Sequence, residues 1–441
     1  MRKGFIRLAA LSAATVLSLG SLAACGGKTS STDTNKTPDS GDKVKTTVAN
    51  AEKFKDQSLV YWSNFEKTEP QGKVLSAAVE DFNKQTGAKV QVEFKGRKGI
   101  KEGLIPALDA GQKVDLFDGQ GNKSNYGERI VPLDDYVDEA YLSKSNPTLI
   151  ELTRSYYKDG KLYELPFQFK GNAYLYNKGL FKKAGISTVP KTWKDFLDVC
   201  EKLKAAGITP LTTDDAYAMQ AFGMHLARLV GSDKVKDIVD NGKWEEPAVL
   251  ETAKAFAELA TKGYFVDKVG SNAWPTGQNT QFALGKAAMY CTGTFLVNEV
   301  KNLTGPDFEW GFFGYPELEG GVNGLEAMVM GSQSFSVTNK CQNVELAVAL
   351  VKHMTRGHWD AEFAKECIGI PSDSDNAELY PAQLAEARPY FEKCTMIFPI
   401  SGGLENNPEI TPSLKENLMK LYAGALSPED FVKNMKASAK K

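Results

Sequence analysis

From Leu59 to Phe117 the chain reads LVYWSNFEKTEPQGKVLSAAVEDFNKQTGAKVQVEFKGRKGIKEGLIPALDAGQKVDLF. Its hydrophobic period switches repeatedly along this stretch. Leu59-Val60-Tyr61-Trp62 is a short continuous apolar run, the mark of a buried strand. Val74, Leu75, Ala78, Val79 and Phe82 then recur at helical spacing, and Gly87 stands where such a helix stops. Val90, Val92 and Phe94 alternate as a strand does, Leu104, Ile105 and Leu108 form a short helix ending at Gly111, and Val114 to Phe117 is a third strand. The β-α-β-α-β order predicts an α/β fold with a mainly parallel sheet and helices on both faces. Ligands of such sheets bind beyond the carboxyl ends of the strands. That rule singles out Asn64 and Glu66 after the first strand, and Asp118, Gly119 and Gln120 after the third.

The middle of the chain repeats the grammar. Thr192 is a good N-cap, Trp193, Phe196, Leu197, Cys200 and Leu203 line one helical face, and Gly207 sits at the C′ position. A strand begins at Ile208–Leu211 and is followed by Thr212, Thr213, Asp214, Asp215 and Tyr217. Two α/β units in one chain predict two lobes with a cleft between their facing strand ends.

The amino terminus gives an address. A basic start (Arg2, Lys3, Arg7) precedes an apolar run from Leu8 to Ala24, the anatomy of a secretory signal peptide. Cys25 follows Leu22-Ala23-Ala24 and resembles the site where bacteria attach lipid and cleave, so residues 1–24 are expected to be removed and Cys25 lipidated. Residues 25–56 are expected to be a flexible tether, because the stretch from Gly26 to about Ala51 holds no aromatic side chain and almost nothing apolar. A tether of about 27 such residues spans on the order of 30 Å. Without Arg2, Lys3 and Arg7 the formal charge moves from −2 to −5, which offers nothing to nucleic acid.

Little in the chain points to chemistry. Cys200, Cys291, Cys341, Cys367 and Cys394 lack CxxC spacing, so they form neither a zinc signature nor a disulfide framework, and a lone disulfide stays open. His225, His353 and His358 are not in HExxH spacing, and no Gly-x-Ser-x-Gly elbow or Walker loop occurs. Asp134-Asp135 and Asp214-Asp215 read as helix openers or loop rims. The segment Asp373-Ser-Asp375-Asn-Ala-Glu378 lacks the glycine and third oxygen ligand of a calcium loop. No metal, cofactor or catalytic residue is expected.

The stretch Tyr157 to Leu211 carries Asp-Gly-Lys-x-Tyr, Leu-Pro, Tyr-Asn-Lys, Lys-Ala-Gly, Pro-x-Thr-Trp and Leu-Lys in order. With Phe282-Ala-Leu-Gly-Lys-Ala-Ala-Met-Tyr290, Trp310 to Pro316 and Phe335 to Lys340, it resembles the extracellular solute-binding proteins of sugar ABC transporters, the relatives of maltose-binding protein. The resemblance implies a two-lobed periplasmic-binding-protein-like fold, with hinge crossovers and a ligand cleft. Lobe 1 would hold 57–167 and 312–341, and lobe 2 would hold 172–308 and most of 342–441. It also implies a monomer that captures a sugar or oligosaccharide and delivers it to permease subunits. The lipid would anchor it to the extracellular face of the cytoplasmic membrane, and the long polar tether suits a Gram-positive bacterium.

A sugar wants aromatic plates for its C–H faces and planar polar groups around its rim. On that basis the expected ligand residues are Trp62, Asn64, Glu66, Asp118, Gln120, Asn172, Asp215, Tyr217, Trp274, Phe295 and Ser332. Trp62 has core packing as its competing role, and Asp118 and Gln120 compete with a plain polar turn. Phe295 stands where the family usually has Trp. Ser334, Tyr126 and Glu326 are weaker candidates. Two other readings stay open: a surface-anchored hydrolase such as a glycosidase, and a receptor for a solute such as a polyol phosphate. The absence of Arg from the proposed loops favours a neutral ligand.

Overall fold

The computed structural model describes residues 46–119, 126–155, 157–274 and 277–439; Cys25 and Gln120 lie outside the described residues. Its strands are β1 (Ser58–Ser63), β2 (Lys89–Phe94), β3 (Leu116–Gly119), β4 (Leu165–Asn177), β5 (Leu211–Thr212), β6 (Met289–Gly293), β7 (Trp310–Phe313), β8 (Ala327–Val337) and β9 (Met396–Phe398). They form one sheet in the order β2-β1-β3-β8-β4-β6-β5, with β7 also on β4 and β9 also on β8.

Side-chain alternation explains why both faces are covered. In β1, Leu59 and Tyr61 join one apolar layer with Phe82 and Leu350, while Val60 and Trp62 turn to the other with Leu104 and Phe117. In β6, Met289 and Cys291 pack with Phe196 and Phe222, and Tyr290 packs oppositely with Phe282 and Trp310. Each lobe is thus a sheet between two helical layers. Local signals agree with this burial. Gly87 ends the helix Pro70–Thr86 at φ 70°, and Thr192 opens the helix Trp193–Ala205 with a reciprocal Thr192–Asp195 capping box worth about 1 kcal/mol. A C-terminal loop closes lobe 2 by backbone contact: a Cβ on Gly223 would stand 1.8 Å from the Ser401 carbonyl oxygen.

The expected parallel sheet holds only inside the lobes. β1 runs parallel to β2 and β3, and β5 to β6. β3–β8, β4–β8, β4–β6 and β4–β7 are antiparallel, because β4 carries the chain from one lobe to the other and β8 brings it back. The lobe boundaries also differ from those expected. Phe313 and Tyr315 pack in lobe 2, whereas the helices Val344–Thr355 and Gly357–Cys367 bury Leu346, Val351 and Phe363 in lobe 1. The ordered body begins earlier than residue 57, since Val48 and Phe54 are buried against lobe 1 and Thr46 accepts the His358 amide at 2.8 Å. Those two apolar side chains outweigh the polar composition around them.

The hinge itself is irregular. The β4–β8 register shifts between Phe167 and Phe169, and Gln168 sits at φ 48°, a left-handed conformation that is uncommon for a non-glycine residue. The bulge re-aims β4: Leu165 and Phe167 serve the lobe 1 core, and beyond it Ala173 and Leu175 face one lobe 2 layer while Tyr174 faces the other.

Candidate functional site

The lobe 1 wall is built around a buried carboxylate. Asp118 Oδ2 accepts from the Tyr61 hydroxyl, and Oδ1 accepts from the Asn64 amide at 2.9 Å. Burial pushes its pKa up to about 6, against the downward pull of these hydrogen bonds and of Arg97. Asp118 therefore shapes the end of β1 from beneath. Asn64 is set by it, and its Nδ2 donates to Gln333 Oε1 at 2.9 Å while its buried Oδ1 has no partner. Trp62 faces the core layer with Ile100 and Leu104, with the Lys95 ammonium 4.1 Å from the ring centroid. Core packing is thus the role its placement supports.

Glu66 is exposed, and its carboxylate occupies the space over Gly96, where an added Cβ would come within 2.2 Å of Oε1. The next residue, Arg97, binds Glu69 through both guanidinium nitrogens at 2.6 and 3.0 Å. It also acts electrostatically on Asp118, on Lys170 in the hinge and on Glu299 in lobe 2.

On the lobe 2 wall Asp214, fully buried, accepts from the amides of Ala216 and Tyr217 at 2.6 and 3.0 Å and from the Tyr290 hydroxyl at 2.8 Å. Desolvation raises its pKa. These bonds hold the Tyr217 ring 6.1 Å from Phe295 and inclined by 31°. Phe295 lies across Gly293, where a Cβ would approach its ring to 2.0 Å. Asp215, expected as a ligand residue, is exposed and accepts the Trp274 amide at 3.0 Å; Trp274 itself is 48% exposed. Glu299 accepts from Asn279 Nδ2 at 3.0 Å, and burial raises its pKa.

The floor is the β4–β8 ribbon. The end of β3 pairs with Ser334, and the end of β6 pairs with Asn172, which pairs with Val329. The two ends therefore stand five residues apart along β8, about 17 Å at the usual rise. A cavity of 290 Å³ on this ribbon is lined by Glu164, Lys170, Asn172, Ser332 and Ser334 among others. Asn172 is buried with Nδ2 unpartnered, Ser332 and Ser334 hydroxyls are 3.4 Å apart, and burial lowers the Lys170 pKa to about 8.

Of the weaker candidates, Tyr126 packs in the lobe 1 core and Glu326 accepts the Gly324 amide. Arg97, Lys170, Gln333, Asp214 and Glu299 were not expected at the site. Arg97 follows β2, so the strand-end rule reaches it; Lys170 and Gln333 lie within hinge strands, where that rule does not look. The Asp373 segment docks on the start of the helix Gly357–Cys367, with Asp373 accepting the Gly357 amide at 2.8 Å. Among the described residues no group of three His, Cys, Asp or Glu side chains could hold a metal, and the five cysteines are unbonded.

Gly293 offers a test of the aromatic wall. Gly293→Ala should displace the Phe295 ring and weaken ligand binding by about 1 kcal/mol, with little loss of stability because a side chain rather than backbone gives way. Calorimetry and thermal melting check both halves.

Two α/β lobes sharing a strand ribbon, with aromatic and unpaired polar groups at their facing ends, define a two-lobed solute receptor. The chain belongs to the bacterial extracellular solute-binding protein family, whose sequence profile matches residues 66–356. It is 26% identical over 442 residues to the diacetylchitobiose binding protein of Streptomyces coelicolor, covering 96% of this chain and 95% of that protein. It is 38% identical over 166 residues to an sn-glycerol-3-phosphate-binding periplasmic protein of Shigella flexneri, covering 34% of this chain and 36% of that one. A solved chitin oligosaccharide binding protein superposes with a TM-score of 0.70 at 23% identity, over 87% of this chain and 98% of that chain. No described helix is long and apolar enough to cross a membrane.

Proposed function

We propose that this protein is the lipid-anchored receptor of a carbohydrate ABC importer, binding a neutral sugar or oligosaccharide between its lobes and handing it to permease subunits. The observation that carries the reading is the pairing of an aromatic wall, Tyr217 with Phe295, with two buried amide atoms that lack partners, Asn64 Oδ1 and Asn172 Nδ2. Plates for C–H faces and amides for hydroxyls suit a pyranose. Trp274 joins the plates as an exposed ring at the rim, and Glu66, Asp215 and Ser332 serve as rim acceptors. The diacetylchitobiose receptor, aligned along nearly its whole length, favours β-linked N-acetylated sugars within this class.

The glycerol-phosphate relative motivates a second reading, and the cleft does hold cations. Yet the Arg97 fork is taken by Glu69, and Glu66, Asp118 and Glu299 surround it, so no free guanidinium faces a phosphate there. A thermal-shift panel of diacetylchitobiose, maltose, xylobiose and glycerol 3-phosphate separates the two. A ligand at 100 times its Kd should add about 2.7 kcal/mol of stability, for a sugar and not for the phosphate. Stabilisation by glycerol 3-phosphate alone would overturn the sugar assignment. New reducing ends after incubation with oligosaccharide would revive the hydrolase.

The anchor rests on Cys25 and the stretch before it. Several acyl chains give stable attachment where one does not. A Cys25→Ala chain should leave the membrane fraction and appear in the medium. Unchanged retention would remove the lipid from the account.

A further inference from the structure

A second cavity lies on lobe 2, and it shares no residue with the cleft. It has a volume of 510 Å³ and is lined by Trp193, His225, Leu229, Glu251, Glu317 and Glu319 among others, a size that fits small-molecule sites. Three helices and the Glu317–Glu319 segment meet there. Aromatic contacts make its inner wall rigid. The Trp193 ring stacks on Phe196 at 5.0 Å and meets the His225 imidazole edge-on at 4.5 Å.

The polar groups in this cavity are mostly unspent. His225 is 3% exposed, its Nδ1 lies 3.1 Å from the Tyr315 hydroxyl, and its Nε2 has no partner among the described residues. Burial holds the imidazole neutral, with a pKa pushed down to about 3, so Nε2 can present a lone pair while Nδ1–H donates to Tyr315. The exposed Glu251 and Glu319 side chains make no hydrogen bond or ion pair among the described residues. Glu317 accepts the Leu325 amide at 3.3 Å. The one cation in the lining, Lys194, is paired with Asp198 at 2.7 Å. The cavity thus combines net negative charge, a buried acceptor and an indole wall.

We propose that this cavity is a second ligand site, for a small primary ammonium compound, distinct from the solute cleft. A primary ammonium has three donors and no acceptor. His225 Nε2 supplies a buried acceptor, the exposed Glu251 and Glu319 carboxylates supply charge at the rim, and the Trp193 ring adds a cation–π surface. A neutral polyol would gain the same hydrogen bonds without the charge attraction, so the carboxylates select for the cation.

The test is calorimetry and Trp emission with 1,5-diaminopentane, using 1,5-pentanediol as the neutral isostere, on wild type and on Glu251→Gln/Glu319→Gln. Both substitutions are at the rim and leave the fold intact. The proposal expects saturable diamine binding with a change in Trp emission, no binding of the diol, and at least tenfold weaker diamine binding in the double variant. Sugar binding in the cleft should be unchanged by the substitutions, so failure of one site does not imply failure of the other. No saturable diamine binding, equal binding of the diol, or diamine binding indifferent to the two substitutions would overturn it.

Discussion

Alanine at Tyr217 or at Phe295 is expected to weaken sugar binding by about 1–3 kcal/mol, roughly 5- to 150-fold in Kd. The effect begins at Asp214. Its carboxylate receives the Tyr217 amide and the Tyr290 hydroxyl, so the Tyr217 ring is delivered to one place before any ligand arrives. Phe295 is positioned separately, by lying over Gly293. A pre-set pair loses little entropy on binding, which is why each ring should count heavily. With centroids 6.1 Å apart, the two rings should also be coupled, so the double variant should lose less than the sum of the singles. Phe295 lacks an indole N–H, and Phe295→Trp should therefore bind at least as well as wild type where the extra donor finds a hydroxyl. Calorimetry on wild type and these four variants decides it; wild-type affinity in both single alanine variants would remove the aromatic wall from the site.

The second large effect is on stability against pH. Asp118 has its pKa raised in the folded state to about 6 by burial, above the ordinary carboxyl value of about 3.9 in the unfolded chain. Between these two values the folded protein holds a proton that the unfolded chain has released. Ionised Asp118 therefore costs stability that is absent below pH ~4 and fully felt above pH ~6, on the order of 3 kcal/mol. Lowering the pH from 7 to 4 should relieve this cost, against the usual trend of paired surface carboxylates. Asp118→Asn should flatten that component, since the amide cannot ionise yet can still accept from Tyr61 or the Asn64 amide. Urea melts of both proteins across this range measure it, and identical pH profiles would contradict it. Asp118→Leu should lose the same pH-dependent component, and at pH 4, where Asp118 is protonated, it should be less stable than wild type by about 1–3 kcal/mol, because the Tyr61 hydroxyl and the Asn64 amide would be left buried and unpaired.

Much of the architecture was legible in local pattern. The strands around Tyr61, Val92 and Phe117 and the helices through Leu75 and Phe196 announce themselves by period, and Gly87, Thr192 and Gly207 mark their ends as helix physics requires. What periodicity does not carry is which element returns to which lobe. Leu346, Val351 and Phe363 are apolar at helical spacing whichever core receives them, so placing most of 342–441 in lobe 2 did not reveal that the helices Val344–Thr355 and Gly357–Cys367 return to lobe 1 through contacts between residues distant in sequence. The hinge bulge at Gln168 was invisible for a related reason: glutamine gives no signal for positive φ.

The site was half legible. Strand-end reasoning singled out Asn64 and Asp118, whereas Asp215, Tyr217 and Phe295 became candidates through the family resemblance. Asp118 and Asp215 each spend a carboxylate oxygen on a backbone amide, which leaves Asp215 its other oxygen for the rim. Telling a rim acceptor from a loop brace needs the partner, and the partner of a carboxylate is a matter of three-dimensional geometry. Arg97 stands just past β2, within reach of the strand-end rule, but a guanidinium was not among the planar acceptors and rings sought for a sugar.

Small-angle scattering on the mature protein, with and without the sugar that stabilises it most, tests the central claim most directly. A ligand held by both walls stabilises closure by its higher affinity for the closed form. The radius of gyration should fall on saturation, and the fall should vanish in a Tyr217→Ala/Phe295→Ala chain at the same sugar concentration. An unchanged radius with the wild-type site saturated would contradict capture between the lobes.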